Sequence, residues 1–305
     1  RCGGACGPLF LMGCLSGYPA GARFVRDALS SGEISEADGV RALCFCNVCG
    51  PLFMLGAVGV GMFGHAVCGW VLAGSHYTAA LITGIIMARI PVRDASNHPT
   101  LCTSTAIPQQ KKSSFLAALG LSVQNAMGTM LLVGGYIILG SVAASLLDAC
   151  GVWGVMYRLA TPLASPLGIT RDLFIGTASG IIEISGGCAR ITGAVSPLWA
   201  RLGLSALVIG FSGFAIIGQT TALWEGRAFP LWRYLGARLI HALAAAALAA
   251  AAALLLPLER LAAEVSASPP PLQTALFADD GVSYILMGLL LTGFLYAVYK
   301  NKKAP

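Results

Sequence analysis

Residues 119–147 carry no charged side chain. A run of that length can cross a bilayer as a single helix, which takes about 20 mostly apolar residues. Three more stretches meet the same criterion, at 66–90, 234–257 and 282–299. The last ends in Tyr296, Tyr299, Lys300, Lys302 and Lys303, an aromatic and basic anchor at the membrane surface. Within hydrocarbon the backbone must satisfy its own N–H and C=O groups, so continuous apolar runs of this kind are helices. Composition agrees. The chain has 305 residues, of which 56% are hydrophobic and only 10% charged, and its mean hydropathy is +0.77. A soluble domain carries about a quarter charged residues, so an all-α polytopic protein of the plasma membrane is expected, with the lipid bilayer as its principal partner. Residues 1–8 show neither an initiator Met nor a charged leader, and the sequence is read as lacking its natural N-terminus.

The formal charge of +6 is scattered. No basic run with interleaved aromatics points to nucleic acid, so the positive residues are read as cytoplasmic anchors. On that rule the loop with Arg89, Arg93, Lys111 and Lys112 lies inside, as does the loop with Arg227, Arg233 and Arg238. Residues 258–280, poor in Lys and Arg, lie outside. The spans 66–90 and 234–257 then run in opposite directions. The ten cysteines sit mostly among small apolar residues and are expected to act as compact hydrophobes. Cys44-Phe45-Cys46-Asn47-Val48-Cys49 resembles a ligand cluster but has no second half at zinc spacing. His65, His76, His98 and His241 are scattered along the chain. There is neither a phosphate-binding G-x-x-x-x-G-K-[ST] loop nor a G-x-S-x-G elbow. No enzyme, metal or cofactor is expected.

Two octets, CGPLFLMG at 6–13 and CGPLFMLG at 49–56, differ only by exchange of Leu and Met. Gly permits a turn and Pro is suited to the first helical position, so Gly7-Pro8 and Gly50-Pro51 each mark a helix start inside an apolar segment. The octets are not a tandem repeat, because nothing between them keeps their period. A longer correspondence is present. Gly13-Cys-Leu-Ser16-Gly17 matches Gly176-Thr-Ala-Ser179-Gly180, and Ala-Arg follows in both, at 22–23 and 189–190. Gly50 stands as far after Gly17 as Gly213 stands after Gly180, and a His-bearing span follows in each half, with His76 and His241. With opposite directions for those spans, the arrangement is that of two inverted-topology repeats with broken or re-entrant helices, as in secondary transporters. The expected organisation is a first gate-like repeat at 1–96, incomplete at its start, and a cytoplasmic connector at 97–114. A second repeat follows at 115–257, then an external Pro-rich loop at 258–280 and a terminal helix with basic tail at 281–305.

At membrane depth a helix start leaves N–H groups that protein, water or ligand must satisfy, and it suits an anionic or carbonyl-bearing group. The candidate solute-binding residues are therefore those at the breaks: Ser16, Gly17, Asn47, Gly50, Pro51, Ser179, Gly180, Ser212, Gly213 and Gln219. Close helix packing is the competing explanation for the glycines. Glu183, in FIGTASGIIEISGG, is an ionisable residue within an apolar stretch and a functional candidate by default. A structural partner such as Arg190 is the alternative. The uncharged hydrogen-bonding groups point to a small polar solute.

The phrases S-G-Y-P-x-G-A at 16–22 and N-x-x-G-P-L-F-x-x-G-A-V-G at 47–59 are similar to those of the sporulation integral membrane protein YlbJ family. GIIEISGG at 180–187 resembles the nucleoside-recognition, or gate, segment of concentrative nucleoside transporters and ferrous-iron transporters. The resemblance implies a polytopic membrane protein linked to endospore formation, with no substrate fixed by the family. It carries Ser16, Gly17, Tyr18, Pro19 and Gly21 for the first motif, Asn47, Gly50 and Pro51 for the second, and Glu183 and Gly187 for the gate. The cysteines at 44–49 depart from the small polar residues expected there. Two functions follow: a transporter-like protein for a small polar solute, nucleoside-like compounds included, with a coupling ion and self-association both compatible, or a non-transporting structural or assembly factor of the spore-forming membrane.

Overall fold

The first helix begins at its Gly-Pro pair: α1 (Cys6–Ser16) has Gly7 and Pro8 in its first turn. The computed structural model describes residues 3–4, 6–92, 115–224 and 227–257, which all belong to one compact unit, Arg1–Leu258. The connector at 97–114, the loop at 258–280 and the terminal segment 281–305 lie outside the described residues.

After a break at Gly17–Pro19 come α2 (Ala20–Ser30) and α3 (Glu36–Cys46). They form a charged hairpin in which Ser35 caps α3 by accepting from the Asp38 N–H. A second break at Asn47–Gly50 leads into a π-helical segment, Leu52–Met62, and then α4 (Ala66–Arg89). Wide π winding is rare and is found frequently at functional sites. Its carbonyls are reached from five residues on, as from Phe63 N–H to Val58 O at 2.8 Å. Glycines allow it to lie close on α4. A Cβ at Gly59 would stand 2.6 Å from the Gly69 Cα.

The second set begins with α5 (Phe115–Ala149) and α6 (Val152–Ala164), followed by a 3₁₀ turn at Ser165–Leu167. Then come α7 (Arg171–Ile182), α8 (Ile184–Gly193), α9 (Leu198–Phe211), α10 (Gly213–Leu223) and α11 (Leu231–Leu255). From α7 onward the order matches that of residues 6–89: two short helices around a break, two more around a second break, then one long helix.

Among the described residues four stretches are long and apolar enough to span a membrane: Ala66–Arg89, Leu119–Ala149, Leu198–Leu223 and Leu231–Leu255. Leu198–Leu223 takes in α9 and α10, which meet at Ser212, a non-glycine residue at φ 74°, beside Gly213 at φ 69°. That span is the most enclosed of the four, whereas Leu119–Ala149 is almost wholly exposed. Leu131, Ile138 and Leu139 on α5 face outward, an arrangement that suits lipid and would be a liability in water.

The long helices α4 and α11 run antiparallel. Arg233, near the start of α11, donates to the Met87 and Ile90 carbonyls at the end of α4, and His76 meets His241 where both helices pass the centre. One reading from charge needs correction. Arg238 is not a loop anchor but the most voluminous fully buried side chain among the described residues, about two turns inside α11 and without solvent exposure.

Candidate functional site

The two breaks of each set cross one another, and glycine is what lets them. Gly17, at φ 77°, lies against Gly50 so closely that a Cβ would stand 2.7 Å from the Gly50 N. In the second set a Cβ at Gly213 would stand 3.1 Å from the Gly180 carbonyl oxygen. The glycine pairs singled out by equal spacing are thus both backbone crossings.

Between the crossings lies a cavity of about 400 Å³. The first crossing contributes Ser16, Gly17 and Gly50, and the second contributes Glu183 and the first turn of α8. Gln219 projects from α10, and Val133 and Ile137 close a side from α5. These last two stand near the middle of the Leu119–Ala149 span, so the cavity lies halfway along that apolar helix. Most of the wall is aliphatic, with a few polar groups, the usual make-up of a small-molecule site.

Of the residues expected from sequence, Ser16, Gly17, Gly50, Glu183 and Gln219 line this cavity. Pro51 caps the π-helical segment beside it. Ser179 opens onto a smaller cavity on the far side of Glu183. Asn47, Gly180, Ser212 and Gly213 stand behind the wall. Asn47 Nδ2 donates to Thr220 Oγ1 at 3.0 Å and to Tyr234 OH at 2.8 Å, tying the first set to α10 and α11. The Ser212 hydroxyl is taken up by the Phe211 carbonyl.

Glu183 is 3% exposed and sits in extended backbone, φ −142° and ψ 121°, between α7 and α8. Its carboxylate oxygens accept the N–H groups of Ser185 at 2.8 Å and Gly186 at 2.9 Å. It is the N-cap of α8, placed where the positive end of the helix dipole favours a negative group. Arg190, the ion-pair partner considered from sequence, instead pairs with Asp148 at 3.2 Å.

Gln219 contrasts with these. It is 1% exposed, it lines the cavity, and neither Nε2 nor Oε1 has a hydrogen-bond partner among the described residues. A buried amide left unpaired costs about 1–3 kcal/mol for each group, and in native proteins such groups call for a partner.

Three residues behind the wall were not among the site residues expected from sequence, because their partners are distant in the chain. Arg238 donates to the Asn47 carbonyl at 2.8 Å, the Cys44 carbonyl at 2.5 Å and the Tyr18 hydroxyl at 3.1 Å, and it lies over the Tyr234 ring. It satisfies carbonyls at the C-terminal end of α3, where a cation complements the dipole. His76 and His241, scattered in sequence, meet in space. His76 Nε2 accepts the Cys49 N–H at 3.0 Å, and its Nδ1 lies 3.2 Å from His241 Nε2. The cysteine cluster has separate surroundings: Cys44 Sγ donates to the Val40 carbonyl, Cys46 Sγ to that of Cys6, and Cys49 Sγ to that of Gly50.

Across 259 residues the chain is 29% identical to the sporulation integral membrane protein YlbJ of Bacillus subtilis (strain 168), an alignment that takes in 81% of this chain and 63% of YlbJ. The resemblance to YlbJ holds. The chain spans less than two thirds of the length of that YlbJ protein, and the alignment is long enough to draw on both helical sets. No family model and no solved structure matches the chain.

Proposed function

We propose that this chain is a transporter-like protein of the plasma membrane that binds a small polar solute in the mid-membrane cavity and serves spore formation. The unpaired Gln219 amide, buried and facing that cavity, carries the reading. A solute with a donor and an acceptor would satisfy both of its groups. Residues 6–89 and 171–255 act as two inverted-topology repeats. That view is supported by the matching order of elements, the antiparallel course of α4 and α11, and the equivalent glycine crossings. Sites between such repeats, at broken helices, are where secondary transporters hold their cargo. The role in sporulation rests on the likeness to YlbJ.

The test is a thermal-shift screen of the full-length protein in detergent against nucleosides, amino acids, dicarboxylates and divalent metal ions. One class should stabilise the protein, and Gln219→Leu should abolish the shift while leaving the unliganded melting temperature equal or higher. No shift with any class, together with normal sporulation of a strain carrying Gln219→Leu, would assign the chain instead to a structural role in the membrane.

A further inference from the structure

The smaller cavity, about 170 Å³, shares Glu183 with the larger one but has different walls. Ser141, Ser145 and Asp148 line it from α5, with Ser179 from α7 and Arg190 from α8 opposite. On α5 these residues continue the same helical face that presents Val133 and Ile137 to the larger cavity, since positions four or three apart fall on one side of a helix. Gly140 marks the boundary. A Cβ there would stand 3.0 Å from the Glu183 Cβ. One face of α5 therefore changes from aliphatic to hydroxyl and carboxylate at Glu183. Exposure rises in the same direction, from half-buried Ser141 to exposed Ser145 and Asp148, the last at the end of the span.

Hydroxyls on this face are out of place against lipid, and they lead from the membrane surface toward the one carboxylate common to both cavities. We infer that the smaller cavity is a water-filled access crevice, about 12 Å deep from Asp148 to Gly140 at the helical rise, that admits hydrophilic solutes and favours cationic over anionic ones. The sign follows from the charges along it. Asp148 and Arg190 offset each other as an ion pair. Glu183, bonded only to backbone N–H groups among the described residues, leaves the inner end negative. Only the inner end of this crevice depends on the solute-binding reading, because water and reagents would enter whether or not the larger cavity holds a solute.

Ser141→Cys, Ser145→Cys, Val142→Cys and Leu146→Cys are introduced singly into the full-length chain, the last two on the lipid-facing side of α5. Membrane fragments open to both sides are treated with a cationic and an anionic methanethiosulfonate, and modification at each introduced position is followed by peptide mass spectrometry. Thiols react with such reagents as thiolates, which form in water and not in lipid, so positions 141 and 145 should react at least about tenfold faster than 142 and 146. The cationic-to-anionic rate ratio at 141 should exceed that at the exposed native Cys150, and Glu183→Gln should reduce the excess. Equal rates at 141 and 142, or a ratio at 141 no greater than at Cys150, would overturn the inference. Neither result would bear on solute stabilisation in the thermal-shift screen. Ser→Cys changes one atom, so the 141/142 comparison stands even where the Glu183 variant fails to fold.

Discussion

His76 Nδ1 lies 3.2 Å from His241 Nε2, and the other nitrogen of His76 holds the Cys49 N–H. With Nε2 accepting, a neutral His76 carries its proton on Nδ1 and donates it to His241 Nε2. The proton of His241 is then on Nδ1, a buried atom without a partner among the described residues. The pair thus joins α4 to α11 at the point where they cross, and it fixes the backbone of a residue that lines the larger cavity.

His76→Leu leaves the Cys49 N–H unpaired at membrane depth and should lower stability by about 1–3 kcal/mol. His241→Leu should cost less, because it frees only the His76 N–H and also removes the unpaired His241 Nδ1. Either change breaks the same bond, so the double variant should lose less than the sum of the two. Unfolding midpoints of the four proteins in detergent measure this. Strict additivity would show that the rings do not interact.

Arg238 makes three hydrogen bonds to the first set and none to a carboxylate among the described residues. Arg238→Leu strands the Cys44 and Asn47 carbonyls and should sharply reduce the yield of monodisperse protein on size-exclusion chromatography. Arg238→Lys keeps the charge but not the planar fork that reaches two carbonyls at once. It should fall between wild type and Leu. Equal behaviour of Lys and Arg would mean that charge alone matters there.

Glycine at the crossings should be indispensable, and dispensable where the space around it is open. Gly17→Ala would set a Cβ against the Gly50 backbone at a positive φ, and Gly213→Ala would do so against the Gly180 and Ile182 carbonyls. Gly74, inside α4, has open space around its Cβ position. Gly74→Ala should therefore stabilise the protein by about 0.5–1 kcal/mol through helix propensity alone. Gly17→Ala and Gly213→Ala should lower the melting temperature, and any rise for either would remove the crossing from the account.

Much of the path of the chain is legible in local sequence. Gly7-Pro8 and Gly50-Pro51 mark where helices start, and the apolar runs at 66–90, 119–147 and 234–257 correspond to α4, α5 and α11. Gly17 with Gly50 and Gly180 with Gly213 could be paired because equal spacing survives in one dimension. What joins the two sets could not. The bonds from Asn47 to Thr220, from Arg238 to Cys44 and from His76 to His241 link residues more than 160 positions apart, and nothing in a single sequence records such a pairing. Arg238 misled for a related reason. A positive charge near the end of an apolar run suits a loop anchor equally well until the partner carbonyls are seen. Gln219 was legible as a polar residue beside a break, but not as an unpaired one.

Glu183 can serve the molecule in two ways that substitution separates. As the cap of α8 it accepts two N–H bonds, so Glu183→Ala should cost about 0.5–2 kcal/mol of stability. Glu183→Gln retains one acceptor oxygen and should cost less. As a wall of the larger cavity it also faces any bound solute. If it acts on solute only by holding the first turn of α8, then affinity should follow stability, with Gln near wild type and Ala impaired. If the carboxylate touches the solute, Gln should lose affinity as fully as Ala while melting close to wild type. Melting temperature and solute-induced shift, measured on the same three proteins, decide between them. A Gln variant that melts as low as Ala would show that both oxygens are needed to hold α8.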